Sequence, residues 1–229
     1  MSIVELRGAL RRAFTSDRTH RIVTLNPEIA VAAHRDGRYG AIIRTADLIT
    51  VDGMGIRLAL RLRSRVRGDR ITGTTLLETA CAIAAEEGRP ATFLLRSNGL
   101  TAPPLLRAAL KEHWPALPVS IGVIDPDRPP DPGILRAIAE HTPALLITNF
   151  GHPAQERWIA EHVGQFPSVR VAFGVGGAID YLSGAIPPPP PFVRRYGIEW
   201  LWRFVRQPWR FQRIATAVIR FPLLALRYR

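Results

Sequence analysis

The segment Leu145-Leu-Ile-Thr-Asn149 is a short apolar run, and residues 154–165 follow it with helical spacing. A second apolar run, residues 169–173, then leads into the turn Gly174-Val-Gly-Gly177. An apolar run, a helix and a second apolar run are typical of a βαβ unit, in which the two strands lie parallel. A glycine-dense turn between strand and helix is also a common way to hold a phosphate or a sugar.

The same alternation extends outward from this unit over most of the chain. Further strands are predicted at residues 22–25, 48–51, 92–95 and 119–124, and helices at residues 28–34, 56–63, 75–87, 102–113 and 133–141. We therefore predict an α/β fold with a Rossmann-like, doubly wound and mostly parallel sheet. In such sheets ligands bind beyond the carboxyl ends of the strands.

Composition predicts a basic appendage after the sheet domain. The 229 residues carry a net charge of +12, and nine arginines but only one acid, Glu199, occur from Phe192 onward. We predict a catalytic domain at residues 1–186, a stiff proline spacer at 187–191 and a helical, aromatic appendage at 192–229. Mixed arginines and aromatics favour contact with an anionic membrane surface, and the alternative is a helix packed on the domain.

The sequence shows no secretion signal at the N-terminus and no membrane-spanning run. The N-terminus has no apolar signal core, and no apolar run approaches the length of a membrane-spanning helix. The single cysteine, Cys81, lies in an apolar helical context and is expected to be buried. We therefore expect a cytoplasmic protein that is peripheral on the inner face of the membrane.

Polar residues follow several predicted strands. Asp52 can act as a general base or can cap the next helix. Thr24 and Asn26 can bind sugar hydroxyls or a uracil edge, or can form the turn that starts a helix at Pro27. Arg70, before a helix that begins near Thr75, can help that helix bind an anion, and ordinary threonine capping is the alternative.

Other motifs exclude whole classes of chemistry. Gly174-Val-Gly-Gly177 is not a full dinucleotide fingerprint, and no phosphate-binding P-loop sequence occurs. The histidines have no zinc spacing. Asp125-Pro-Asp127 resembles an acidic metal-binding triplet, but its proline-rich neighbours favour a solvated turn. We therefore predict no metal and no cofactor.

Six segments, in this order, resemble the WecG/TagA/CpsF family of bacterial glycosyltransferases (glycosyltransferase family 26) over residues 22–211. They are Thr24-Leu-Asn-Pro27, Ala46-Asp-Leu-Ile-Thr-Val-Asp-Gly-Met-Gly55, Arg70-Ile-Thr-Gly73, Gly151-His-Pro-Ala-Gln-Glu-Arg-Trp-Ile159, Gly174-Val-Gly-Gly-Ala-Ile-Asp-Tyr-Leu-Ser-Gly184 and Tyr196-Gly-Ile-Glu-Trp-Leu-Trp-Arg203. The chain departs from the family pattern at Arg96-Ser-Asn-Gly99, which would suit a different donor sugar.

The resemblance implies an inverting, metal-independent hexosyltransferase, similar to N-acetylmannosaminyltransferases. It would move a sugar from a UDP-sugar to a polyprenyl-diphosphate-linked saccharide in cell-envelope polysaccharide synthesis. It makes Asp52 the catalytic base and implies substrate-binding roles for Thr24, Asn26, Arg70, Gln155, Gly174, Gly176, Gly177, Arg203, Arg206 and Arg210. The alternative is a non-catalytic basic module that binds RNA or another polyanion, but no nucleic-acid motif is present and we predict no nucleic-acid partner. A homo-oligomer is compatible with the sequence.

Overall fold

The computed structural model describes residues 1–53, 55–57, 60, 70–190, 193, 202 and 216–227. The predicted arginine ligands Arg203, Arg206 and Arg210 lie outside them.

The centre of the fold is one six-stranded sheet in which all strands are parallel. In sheet order the strands are β2 (Leu48–Val51), β1 (His20–Leu25), β6 (Val171–Gly174), β5 (Leu145–Asn149), β3 (Ala91–Arg96) and β4 (Val119–Ile124). All six strands predicted from the sequence are present, and the predicted fold class is confirmed. The sheet is wholly parallel rather than mostly so.

Helices cover both faces of this sheet. They are α1 (Ile3–Phe14), α2 (Pro27–Arg35), α3 (Gly37–Arg44), α4 (Gly73–Glu86), α5 (Pro103–His113), α6 (Pro132–His141), α7 (Ala154–His162), α8 (Ala178–Leu182) and α9 (Phe221–Arg227). A 3₁₀ turn, Val163–Gln165, completes the helix predicted at 154–165. Of the helix predicted at 56–63, positions 56, 57 and 60 are helical and the others lie outside the described residues.

Two helices that the periodicity did not predict are fixed by local contacts. Helix α1 begins with a capping box, in which Ser2 and Glu5 each accept a hydrogen bond from the other's backbone N–H. Helix α3 is capped by Asp36, whose carboxylate accepts from the backbone N–H of Tyr39 at 3.0 Å. Its Gly40 allows close packing on α2, since a Cβ there would lie 2.6 Å from the Ala33 carbonyl oxygen.

The hydrophobic core divides into layers because side chains alternate across each strand. On β3, Phe93 faces a cluster built with α1 and α4, whereas Leu94 faces a second cluster that contains Trp158 of α7. Cys81 is fully buried in the first cluster, as expected for a small apolar side chain. Burial raises the pKa of its thiol.

The described C-terminal segment folds back onto α2. A π-helical turn, Thr216–Arg220, leads into α9, and Phe221 packs against Val31 and Ile56. Ile219 and Leu223 remain exposed. The described end of the predicted appendage is therefore docked on the domain, with an apolar strip left uncovered. Within the described ranges, no helix has both the length and the apolar character that crossing a bilayer requires.

We predict that Phe221→Ala lowers the free energy of unfolding by about 3 kcal/mol, because truncating a buried phenylalanine leaves a cavity. The matched control is Leu223→Ala, two positions away, where the side chain is 63% exposed. The free energy of unfolding of Leu223→Ala should stay within about 0.5 kcal/mol of the wild-type value. Denaturant unfolding measures both, and equal stabilities for the two variants would contradict the docking of α9.

Candidate active site

A cavity of about 450 Å³ opens at the carboxyl edge of the sheet. That volume falls within the range of small-molecule sites, about 300–1,000 Å³. The loops after β1, β2, β5 and β6 all contribute to its wall. The structure thereby brings together the following residues predicted from the sequence: Thr24, Asn26, Asp52, Arg70, Gln155, Gly176 and Gly177.

Asp52 lies directly after β2, and its position is fixed from both sides. Its backbone N–H donates to the Leu25 carbonyl at 2.8 Å, which extends the β1–β2 pairing by one residue. Its carboxylate accepts from the backbone N–H of Gly73 at 3.3 Å and lies 3.5 Å from Arg70 Nε. The N-terminus of α4 and a guanidinium therefore both stabilise negative charge here.

Asn26 and Thr72 act as helix caps in addition to lining the cavity. The Asn26 side-chain oxygen accepts from the Ile29 N–H at 2.9 Å, and the Thr72 hydroxyl accepts from the Thr75 N–H at 3.1 Å. The helix-starting turn at Pro27 and the threonine cap are thus confirmed. Since the Asn26 oxygen is occupied, its amide nitrogen is the group that can donate to a ligand.

Gln155 is buried in the cavity wall and belongs to a polar network. Its Nε2 donates to Glu156 Oε1 at 2.7 Å, and the Tyr39 hydroxyl donates to Glu156 Oε2 at 2.9 Å. Burial raises the pKa of the Glu156 carboxyl, and these two hydrogen bonds oppose that shift. Burial, followed by the charge of Glu156, raises the pKa of Tyr39.

Gly174 shapes the site by leaving space for the side chain of Gln155. It does not line the cavity, but a methyl group at this position would lie 2.3 Å from Gln155 Cδ and 2.6 Å from Nε2. Because glycine has no Cβ, the Gln155 side chain can occupy that space. Gly174 therefore has a packing role behind the wall, whereas Gly176 and Gly177 form cavity wall.

Several wall residues were not predicted from the sequence. Arg57 adds a second guanidinium, Glu78 a carboxylate, and His152 donates or accepts through Nε2 at 2.8 Å from Glu28 Oε2. Arg57 and His152 had a sequence signal, because Arg57 lies in the first helical turn after the Asp52-Gly-Met-Gly segment and His152 lies in the loop after the strand at 145–149. Pro189 of the predicted spacer is buried and lines the cavity, so this part of the proline run belongs to the wall.

The remaining predicted motifs lie away from the cavity. Asp125 accepts from the Asp127 N–H at 3.1 Å and pairs with Arg128, while Asp127 pairs with Arg96. The turn interpretation of this triplet is therefore confirmed. No group of three or more potential metal ligands occurs in the described part of the chain. The loop after β3 does not line the cavity, and Arg96 instead donates to the Phe150 carbonyl at 3.1 Å.

A concave polar cavity at the carboxyl edge of a parallel sheet, with a carboxylate between an arginine and a helix N-terminus, is typical of the active sites of α/β enzymes. The chain belongs to the glycosyl transferase WecG/TagA/CpsF family, whose family model matches residues 1–229. The resemblance seen in the sequence is thereby confirmed, and the protein is a glycosyltransferase.

Three similar proteins carry the name N-acetylglucosaminyldiphosphoundecaprenol N-acetyl-beta-D-mannosaminyltransferase. The protein of Bacillus spizizenii is 30% identical over 198 residues, which cover 85% of this chain and 74% of that relative. The protein of Bacillus subtilis is 27% identical, with 85% and 75% coverage. The protein of Staphylococcus aureus is 31% identical, with 80% and 70% coverage.

We predict that Gly174→Ala displaces the Gln155 side chain while the protein still folds. The added methyl group overlaps the end of a flexible side chain, so we expect a loss of about 1–3 kcal/mol in unfolding free energy and at least about tenfold weaker binding of UDP-sugar. The control is Gly164→Ala, where no atom lies within 4 Å of the added methyl group. Calorimetric binding and denaturant unfolding test both variants, and unchanged binding by Gly174→Ala would contradict the packing role.

Proposed function

We propose that this glycosyltransferase moves a sugar, with inversion, from a UDP-sugar to a polyprenyl-diphosphate-linked saccharide. The observation that carries the proposal is the Asp52 carboxylate in the cavity wall, between Arg70 Nε and the Gly73 N–H. A carboxylate in the wall of a binding cavity can accept a proton from an incoming hydroxyl.

The names of the relatives indicate which substrates to test first. They describe transfer of an N-acetyl-β-D-mannosaminyl group to N-acetylglucosaminyl-diphospho-undecaprenol. We extend the same substrate class to this chain, with UDP-N-acetylmannosamine as the first donor to assay. The segment Arg96-Ser-Asn-Gly99, where the sequence departs from the family pattern, lies outside the cavity wall. It therefore gives no structural reason for a different sugar donor.

In the proposed mechanism, Asp52 takes the proton of the acceptor hydroxyl as that oxygen forms a bond to the anomeric carbon. The bond from the anomeric carbon to the diphosphate oxygen breaks on the opposite face, and UDP leaves. The charge that develops on the diphosphate would be stabilised by Arg57, by Arg70 and by backbone N–H groups of the Gly176-Gly177 turn. This arrangement supplies positive charge from side chains and needs no metal.

Membership in the glycosyltransferase family favours this reading over the alternative of a module that binds RNA or another polyanion. The cavity supports the same choice. It combines both signs of charge, from Asp52 and Glu78 and from Arg57 and Arg70, in a concave site of small-molecule size. A surface that binds nucleic acid is instead positively charged over a wide area.

We also propose peripheral attachment to the cytoplasmic face of the membrane, where a lipid-linked acceptor would be reached. The supporting feature is the exposed strip of the C-terminal segment, which combines Ile219 and Leu223 with Arg220 and Arg227. Apolar side chains flanked by arginines suit the interface of an anionic bilayer.

We predict that Asp52→Asn keeps the fold and the affinity for the UDP-sugar but lowers kcat by about 10²- to 10⁴-fold, because the amide cannot accept the proton. Turnover is measured as release of UDP in the presence of a lipid-linked acceptor analogue. Wild-type turnover should persist with EDTA, because the proposed mechanism uses no metal. Asp125→Asn, in the remote turn, is the isosteric control and should leave kcat unchanged. Near-normal turnover by folded Asp52→Asn would refute the base assignment.

We predict that Ile219→Asp/Leu223→Asp weakens co-sedimentation with vesicles of phosphatidylglycerol, because both carboxylates oppose apolar insertion and add repulsion. The control is Val4→Asp/Leu105→Asp, which adds the same charge at two exposed positions on α1 and α5. Rising salt should release the wild-type protein as arginine contacts are screened. Equal sedimentation of the two double variants would show that the strip does not contact the bilayer.

A further inference from the structure

The polar network behind the cavity determines which atom of Gln155 faces the ligand. Gln155 is only 4% exposed, and its Nε2 is engaged by Glu156 at 2.7 Å. Its Oε1 is buried and has no hydrogen-bond partner among the described residues. A buried carbonyl oxygen without a partner costs free energy, so this atom is suited to receive a donor that is absent from the free protein.

The two ends of the amide also have different neighbours. Nε2 lies on the Gly174 side, 2.6 Å from the position of an added Cβ there. Oε1 lies 3.9 Å from the equivalent point on Gly176, which lines the cavity. The amide nitrogen is therefore nearer to Gly174, and the amide oxygen is nearer to Gly176 and the cavity that Gly176 lines.

We propose that Glu156 is a positioning residue that orients the Gln155 amide, so that its carbonyl oxygen is presented to the ligand and selects an N–H or O–H donor there. The inference rests on the proposed function, since the ligand is the UDP-sugar. Two parts of that ligand carry such donors: the uracil ring, through its imide N–H, and the sugar, through its hydroxyl and acetamido groups.

The orientation follows from the donors and acceptors available. While Glu156 is ionised it has no proton to donate, so both groups that contact its carboxylate must then be donors. Tyr39 supplies an O–H to one oxygen, and Gln155 must supply its N–H to the other. Arg157 lies over the Tyr39 ring at 5.8 Å and helps to fix that ring in place.

Glu156→Gln reverses this pattern without changing the shape of the side chain. If the new amide oxygen accepts from Tyr39, its nitrogen faces Gln155, which then rotates and places its own nitrogen toward the cavity. The other arrangement leaves the buried Tyr39 hydroxyl without an acceptor and is disfavoured. The variant should fold, because it removes a charge whose burial is unfavourable, as the raised pKa of Glu156 shows.

The test compares binding of UDP-N-acetylmannosamine and of UDP alone by calorimetry, with thermal melting as the check on folding. We expect Glu156→Gln to weaken binding of the UDP-sugar by about 10- to 100-fold. If Glu156→Gln also weakens binding of UDP alone, the hydrogen-bond donor lies on the uracil ring. If binding of UDP alone is unchanged, the hydrogen-bond donor lies on the sugar. Binding of the UDP-sugar by Glu156→Gln within about twofold of wild type would overturn the proposal.

Tyr39→Phe distinguishes an effect of Glu156 on the orientation of the Gln155 amide from an effect on the stability of the protein. In Tyr39→Phe alone, the Glu156 carboxylate still accepts from Gln155. The affinity for UDP-N-acetylmannosamine should therefore change by less than about threefold. Added to Glu156→Gln, it removes the hydroxyl that selects the reversed arrangement, so part of the lost affinity should return. A purely structural role for Glu156 would instead make the double variant bind as weakly as Glu156→Gln or more weakly.

Gln155→Met tests the contact without changing residue 156. It should weaken binding of the UDP-sugar, and adding Glu156→Gln to it should cause no further loss. Wild-type affinity in Gln155→Met would overturn the proposal even if every variant at position 156 failed to fold. Binding of UDP-N-acetylmannosamine by the wild-type protein tests the proposed sugar donor. A wild-type protein that does not bind it would contradict the proposed function, whereas the variants test the role of Gln155.

Discussion

The parallel direction of all six strands is the constraint on which the site depends. Because every strand points the same way, the loops that follow β1, β2, β5 and β6 end at one edge, although they are far apart in sequence. Pairing of β1 with β2 continues through the hydrogen bond from the Asp52 N–H to the Leu25 carbonyl. The position of the proposed base is thus an extension of the sheet hydrogen bonding, which is among the most rigid parts of a fold.

The sequence was informative where one physical signal dominated. Parallel strands appear as short apolar runs, so all six were predictable, including the edge strands β2 and β4, which are only partly buried. Helix α3 was not, because Gly37 and Gly40 lower helix propensity and the compensating close contact with Ala33 is tertiary. In the site, position after a strand indicated Asp52 and Asn26. Tyr39 gave no such signal, since its partner Glu156 is 117 residues away and a tyrosine in a helix resembles ordinary core.

A buried carboxylate behind a binding site carries a cost that apolar packing would avoid. Glu156 is 6% exposed, yet its oxygens accept from Gln155 and Tyr39, which offsets part of that desolvation. What the network adds is a fixed orientation for a side chain that could otherwise rotate by 180° with little change in shape. A site whose hydrogen-bonding groups are oriented before the ligand arrives loses less free energy to ordering on binding.

The burial of Pro189 in the cavity wall has a consequence for how the wall responds to a ligand. Proline has a fixed φ and no backbone N–H, so a run of prolines loses little conformational entropy when it is held in one place. At Pro189 the wall cannot donate a backbone hydrogen bond, and it presents ring carbons or a carbonyl oxygen. This part of the cavity therefore favours fit by shape, and the fixed φ of proline restricts how the backbone there can adjust to a ligand.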